Sequence, residues 1–223
     1  MKQYILIIAV CLSTLGFSQK VEKSLGDFTE LKAFDQISVK LVKADENKAV
    51  ISGDHTDKVQ ILNKNGVLKI RLEIEKSYQG EETYVTLYYK TLYVLDANEG
   101  AFIISDETMN PADIELKAQE GAGIDVALDV KRVTVKSVSG GQVKATGIAK
   151  NQDATVNSGG MYKGKALKTE QTNINVSTGG NAKIHASEVV KAKVKAGGNI
   201  KIYGNPKVVD KKTVLGGNIT QVN

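Results

Sequence analysis

The chain has 223 residues and a formal charge of +5, long enough to bury a real core in one domain. Its basic and acidic residues are interspersed, tryptophan is absent and aromatics make up only 5%. That excludes the stacking platforms and clustered basic stripes of a nucleic-acid binder, so no nucleic-acid partner is expected.

The first residues, "MKQYILIIAVCLSTLGFSQK", place Lys2 before an apolar run from about Tyr4 to Leu12 and a small-x-small pattern at Gly16 and Ser18. This order predicts a secretory signal peptide over 1–18, cleaved after Ser18, and hence an exported protein in the periplasm, at the outer membrane or outside the cell. The run is too short for a permanent membrane helix, and no later segment predicts a transmembrane span. Val10 stands before Cys11 where lipid-modification signals place a small residue. Cys11 is the only cysteine, so the mature chain has no thiol chemistry and no disulfide.

From Lys20 to about residue 113 several stretches alternate apolar and polar residues: "FDQISVKLVKA", "KAVISGD", "VQILNKNGVLKIRLEI" and "TYVTLYYKTLYVLDANEGAFIIS". Period two predicts strands, and Asn65-Gly66 between two of them predicts a type I′ hairpin. Polar loops are expected at about Glu75 to Glu82 and Ser105 to Asp113. This part, about 24–113, reads as irregular, partly antiparallel β-structure that covers one end of the regular region downstream.

From about 114 the sequence repeats. "VKSVSGGQVKATG", "TVNSGGMYKGKA", "INVSTGGNAKIHA", "VKAGGNIKIYG" and "TVLGGNITQV" each carry a glycine pair: Gly140 and Gly141, Gly159 and Gly160, Gly179 and Gly180, Gly197 and Gly198, Gly216 and Gly217. The first glycines are separated by 19, 20, 18 and 19 residues, and Gly121 in "EGAGIDVAL" lies another 19 upstream. Apolar residues alternate on both sides of each pair, with Ile124 and Val126, Val143 and Ala145, Ala182 and Ile184, Ile200 and Ile202 after it, and Ala154 and Val156, Ile174 and Val176, Ala192 and Val194 before it. Strand, bend, strand is the reading, with glycine supplying positive φ or close backbone approach at the bend. A third inward face is expected at Leu128, Ile148, Leu167, Val189 and Val208. A repeat this short cannot bury its own apolar face and must stack. The prediction is an all-β, parallel β-helix-like solenoid with coils of about 19 residues, forming with the irregular part a single domain over 19–223.

The interior of so narrow a coil is filled by its own side chains, so a ligand has to bind outside. Asn181, Asn199 and Asn218 follow the glycine pairs and are expected to stack as a hydrogen-bonded ladder. Lys144, Lys163, Lys183 and Lys201 should line one outward face, either as a solubilising stripe or as a shallow docking track for an anionic glycan or other envelope component.

Sharper chemistry finds no support in the residues. Calcium-binding rolls need an aspartate after the glycines, whereas Gln142, Met161, Asn181 and Asn199 stand there. "GGMYKGKA" at 159–166 nears a phosphate loop, but Ala166 lacks the hydroxyl and no helix follows. His55 and His185 are isolated, and the acidic residues after Gly121 are scattered. No cofactor, metal or catalytic residue is assigned, and the protein is read as non-enzymatic. The alternatives are a carbohydrate-active enzyme on a β-helix scaffold, which would need convergent carboxylates, and a periplasmic self-assembling or partner-binding module, through a free edge at "GGNITQVN".

The closing segment "KAGGNIKIYGNPKVVDKKTVLGGNI", with glycine-asparagine-isoleucine at Gly198 to Ile200 and again at Gly217 to Ile219 around the Tyr203-Gly204-Asn205-Pro206 turn, resembles the head GIN domain family. The opening "FTELKAFDQISVKLVKADENKAVISGD" and "GVLKI" at 66–70 extend the resemblance over nearly the whole mature chain. The resemblance implies a right-handed β-helix-like fold in a cell-envelope or secreted protein, with adhesion as the role its name carries. The chain runs to Asn223 with no outer-membrane barrel segment, so transport of the chain by itself is not expected.

Overall fold

The computed structural model describes residues 20–222; the signal peptide expected at 1–18 and Cys11 lie outside the described residues. Seventeen strands form one continuous hydrogen-bonded sheet that winds into a β-solenoid of about seven turns. In chain order they are β1 (Val21–Ser24), β2 (Glu30–Ala33), β3 (Ser38–Lys43), β4 (Lys48–Gly53), β5 (Val59–Lys64), β6 (Val67–Leu72), β7 (Thr83–Tyr89), β8 (Val94–Ala97), β9 (Phe102–Met109), β10 (Asp113–Ala118), β11 (Gly123–Ser137), β12 (Gln142–Val156), β13 (Met161–Ser177), β14 (Asn181–Lys195), β15 (Asn199–Tyr203), β16 (Val208–Val214) and β17 (Asn218–Gln221). Among the described residues the only helical pieces are two short 3-10 turns, Thr56–Lys58 and Ile74–Lys76.

From β10 onward each coil stacks in parallel on the one before, as the repeat requires. All fourteen alternating apolar positions flanking the glycine pairs, from Ile124 to Ile202, are buried. Excluding them from water is the main drive for stacking, since an isolated coil would leave them wet.

The third inward face differs from expectation. Leu128 and Leu167 are buried, but Ile148 and Val208 are 58% and 56% exposed and Val189 is only half-buried. Gly147, not Ile148, stacks between Leu128 and Leu167, and Val190 on β14 and Val209 on β16 turn inward in place of Val189 and Val208. A one-residue slip moves a strand residue to the opposite face. Ile148 stands 20 residues after Leu128 while β11 and β12 keep a 19-residue register, so it is aligned with outward Asp129. Val189 follows the shifts between Gly164 and Lys168 and between Thr169 and Gln171, which align it with outward Gln171, and Val208 is aligned with Val189.

The upstream half is more regular than its sequence. β2 stacks in parallel between β6 and β8, and β3 between β7 and β9, so the coil at 30–43 lies between those at 67–89 and 94–109, out of sequence order. The antiparallel pairings are confined to the outer edge: β5 on β6 through the Asn65-Gly66 turn, where both residues have positive φ, and β4 on β7 with β1 beyond it. Residues 105–109, expected within a loop, belong to β9. Ser105 and Met109 are buried, and the extra residues between Ile104 and Thr108 form a bulge against β11.

Each coil turns its corner with two left-handed residues, Ser139 and Gly140 in one copy. Ile37, Ala101 and Ala122 follow the pair in the earlier coils, and from Gly141 onward a glycine follows whose backbone lies against the coil beneath. A Cβ on Gly141 would run into the Ala118 carbonyl, whereas one on Gly159 would meet nothing. The corners stack as well. Amides of Gln36, Gly100, Gly121, Gly140, Gly159 and Gly197 donate to the carbonyls of Glu99, Glu120, Ser139, Ser158, Thr178 and Gly216 at 2.9–3.2 Å. At the C-terminal coil the inward register positions turn polar, and Lys211 Nζ donates to Gln221 Oε1 at 3.0 Å.

Two measurements test this packing. Gly141→Ala should cost more than ~3 kcal/mol in urea unfolding, because a backbone carbonyl must move, and Gly159→Ala only ~1–2 kcal/mol for its left-handed φ. Burial, with the Asp35 and Glu120 carboxylates, raises the Glu99 carboxyl above its ordinary value against the opposing Arg71. Its ionised form therefore weakens the fold, so Glu99→Gln should raise the melting temperature at neutral pH. That gain should fade as the pH falls through the raised value toward the ordinary carboxylate value and be gone below it.

Candidate functional site

Lys144, Lys163, Lys183 and Lys201 fall on β12, β13, β14 and β15 at matched register positions, each aligned with the next, with Asp125 before them and Thr220 after. Two residues earlier on the same strands, and so on the same face, Met161, Asn181, Asn199 and Asn218 are aligned in the same way. The period-two alternation sends Tyr162, Ala182 and Ile200 inward between the two rows. The rungs rise by about 4.8 Å per coil, the strand spacing of any sheet.

The asparagine row is tied by its own amides. Asn218 Nδ2 donates to Asn199 Oδ1 at 3.2 Å, Asn199 Nδ2 to Asn181 Oδ1 at 2.9 Å, and Asn181 Nδ2 to the Gly179 carbonyl at 3.1 Å. The lysine row is divided. Lys144 Nζ lies 2.8 Å from Asp125 Oδ2, and Lys163 donates to Gln142 Oε1 at 2.5 Å. Lys183 and Lys201 meet no carboxylate among the described residues. Between the rows runs an open groove of about 500 Å³, bordered by Met161, Lys163, Lys183 and Lys201 on one coil after another, with Thr220 at its end. Free ammonium groups beside fixed carboxamides can hold an anion and hydrogen-bond neutral hydroxyls next to it. The groove lining contains no carboxylate, histidine or cysteine.

The groove floor carries a residue that the repeat does not single out. Tyr162 takes an inward position that smaller residues fill in other coils, and its ring occupies the space a Cβ on Gly164 would need. Gln152 Nε2 donates to its hydroxyl at 2.5 Å, Thr172 to Gln152 Oε1 at 3.0 Å, and Thr169 to the His185 carbonyl at 2.6 Å. Burial raises the phenol well above its ordinary pKa, so it stays neutral. The adjacent tyrosine and near-adjacent glycine in "MYKGKA" are the sequence signal for this large-small pair.

The other candidates lie apart. A second cleft, on the face formed by β8, β10 and β11, contains Tyr93, Asp113, Glu115, Arg132 and Thr134. Burial pushes the Glu115 carboxyl up, but hydrogen bonds from Lys136 and Lys117, at 2.9 and 3.0 Å, outweigh it and hold the group below its ordinary value. A glycosidase acid needs the opposite shift. His55 starts a 3-10 turn with φ 54° between β4 and β5, whereas His185 lies on β14. Burial, and then Lys168, push the His185 imidazole below its ordinary pKa. Lys165 of the near-phosphate-loop segment lies over the Tyr203 ring, 4.5 Å from its centroid. No cluster of three metal-ligating side chains occurs among the described residues, and no helix there is long and apolar enough to cross a membrane.

Among the described residues, fold and groove define a β-solenoid with a filled interior and clefts on its outward faces. A family model described as "Putative auto-transporter adhesin, head GIN domain" matches residues 27–206, and the chain belongs to this head GIN domain family. No curated protein matches the sequence. Among solved structures the chain is similar to a putative adhesin from Bacteroides fragilis NCTC 9343, at 17% identity and TM-score 0.82 over 92% of this chain and 96% of that one. It is also similar to a putative adhesin from Parabacteroides distasonis ATCC 8503, at 22% identity and TM-score 0.73 over 93% and 98%. A putative lipid binding protein from the same Parabacteroides strain matches at 14% identity and TM-score 0.70 over 94% and 98%. At these identities the likeness is one of fold.

Tyr162→Phe tests the groove floor: it leaves the buried Gln152 amide without its acceptor and should cost ~1–3 kcal/mol in denaturant unfolding. Unchanged stability would show that the amide finds another partner.

Proposed function

We propose that this is an exported, non-enzymatic cell-envelope module of the adhesin type, which holds an anionic glycan on the groove between its lysine and asparagine rows. The observation that carries the reading is the pairing of uncompensated Lys183 and Lys201 with an amide ladder at the same rungs. An extended polysaccharide advances per sugar ring by about one strand spacing, so successive acidic sugars can meet successive coils. The ammonium groups take the carboxylates, and the asparagine amides take ring hydroxyls. The family description and the adhesin names of two structural neighbours support a binding role, and the leader-like first 18 residues support export.

The two alternatives gain less support. A carbohydrate-active enzyme would draw on the Asp113 and Glu115 cleft, where lysines and Arg132 already neutralise the carboxylates. Self-assembly through the terminal coil would bring together two copies of a strongly basic segment with Lys211 and Gln221 across its inward positions.

Alginate, with neutral dextran as control, tests the proposal. The protein should bind alginate at low ionic strength and lose it as salt rises, and Lys163→Glu/Lys183→Glu/Lys201→Glu should abolish binding without changing the melting temperature. Alginate binding that survives the triple reversal, or no binding to it at low salt, contradicts the proposal.

A further inference from the structure

Charge is distributed unevenly along the solenoid. Residues 181–223 hold eight lysines against Glu188 and Asp210, a net +6, so the remaining 180 residues carry −1 of the chain's +5. Half of this excess, Lys191, Lys193, Lys195 and Lys212 less Asp210, lies on the second outward face, against +2 from Lys183 and Lys201 on the groove. Lys191, Lys193 and Lys195 alternate outward on β14, and Lys212 on β16 is aligned with Lys193. None of these four meets a carboxylate among the described residues, where the ion pair of these last coils is Lys207 with Glu188 at 2.7 Å. Asp210, aligned with Lys191, is the acidic residue on the patch. Upstream on the same rows the lysines are compensated, Lys117 and Lys136 by Glu115 and Lys32 by Asp96, and Thr155 and Asn175 stand where the row turns neutral.

Apolar side chains border the patch. Val208 is more than half exposed beside Lys207, and Leu215, in the left-handed corner position that Ser139 and Ser158 hold in earlier coils, is 80% exposed. At the opposite end of that corner ridge stand Glu99 and Glu120. A flat basic patch rimmed by exposed aliphatic residues is the composition of an interfacial membrane-binding surface, in which lysines meet lipid phosphates and the apolar rim enters the headgroup layer.

We infer that this second face docks the protein on an anionic lipid bilayer, with the acidic N-terminal coils held away from it. A linear glycan in the groove leaves these lysines and Leu215 unused, whereas a plane meets them together.

Sedimentation with phosphatidylcholine vesicles, with and without phosphatidylglycerol, tests the inference on the full protein. Binding is expected only to the anionic vesicles and should weaken with salt. Each lysine should contribute roughly fivefold, so Lys191→Glu/Lys193→Glu/Lys212→Glu should lose more than tenfold. Leu215→Ser should lose less, both with unchanged melting temperature, and Lys163→Glu/Lys183→Glu on the groove should keep most of the binding. Equal binding to neutral vesicles overturns the inference. So does wild-type affinity in the triple variant, or alginate binding through these lysines with none to vesicles. Vesicle binding with no alginate binding sustains it while removing the groove reading.

Discussion

The backbone hydrogen bond from one corner turn to the next is the constraint on which the molecule depends. A coil of this size can close only if its bends are tight, and it can stack only if those bends fit against one another. The left-handed pair meets both needs in one turn, leaving an amide aimed at the carbonyl of the neighbouring corner. Once that bond fixes the vertical register, the strands on both sides have one way to align. Inward residues then meet inward residues, and outward residues are sorted into rows.

Those rows give the molecule its surface. Because the interior is filled, in places by a polar network around Tyr162, specificity has to come from what is repeated on the outside. Repetition turns a single lysine into a line of positive charge and a single asparagine into a tied ladder. It also lets composition change along the axis without disturbing the fold. The corner ridge runs from carboxylates at Glu99 and Glu120 through hydroxyls at Ser139, Ser158 and Thr178 to Ala196 and Leu215, while the lysines lose their partners toward the C-terminal coils. One backbone thus presents a groove on one face and a basic plane on another.

Much of the fold is legible in the sequence because period two and the glycine pairs report local geometry directly. The alternating positions around each glycine pair and the Asn65-Gly66 turn are of this kind. Ile148 is misread because it stands one residue beyond the 19-residue register of β12 on β11, and Val189 and Val208 because the β13–β14 pairing shifts; apolar character alone reveals neither. The stacking of residues 30–43 between two later coils is hidden for another reason: the chain leaves the solenoid for β4 and β5 and returns on the outer side. Of the candidate site, the lysine and asparagine rows follow from the repeat. The groove between them does not, since it depends on which residue of each rung turns inward and on the compensation of Lys144 by Asp125 one coil away.

The proposal that the stacked outward faces are the working surfaces is tested most directly by an amide chemical-shift map of the protein titrated with short alginate oligomers at low salt. Shifts are expected only over Met161–Lys163, Asn181–Lys183 and Asn199–Lys201, rung by rung. Shifts centred on the Asp113 and Glu115 cleft, or scattered over the N-terminal coils, would contradict it.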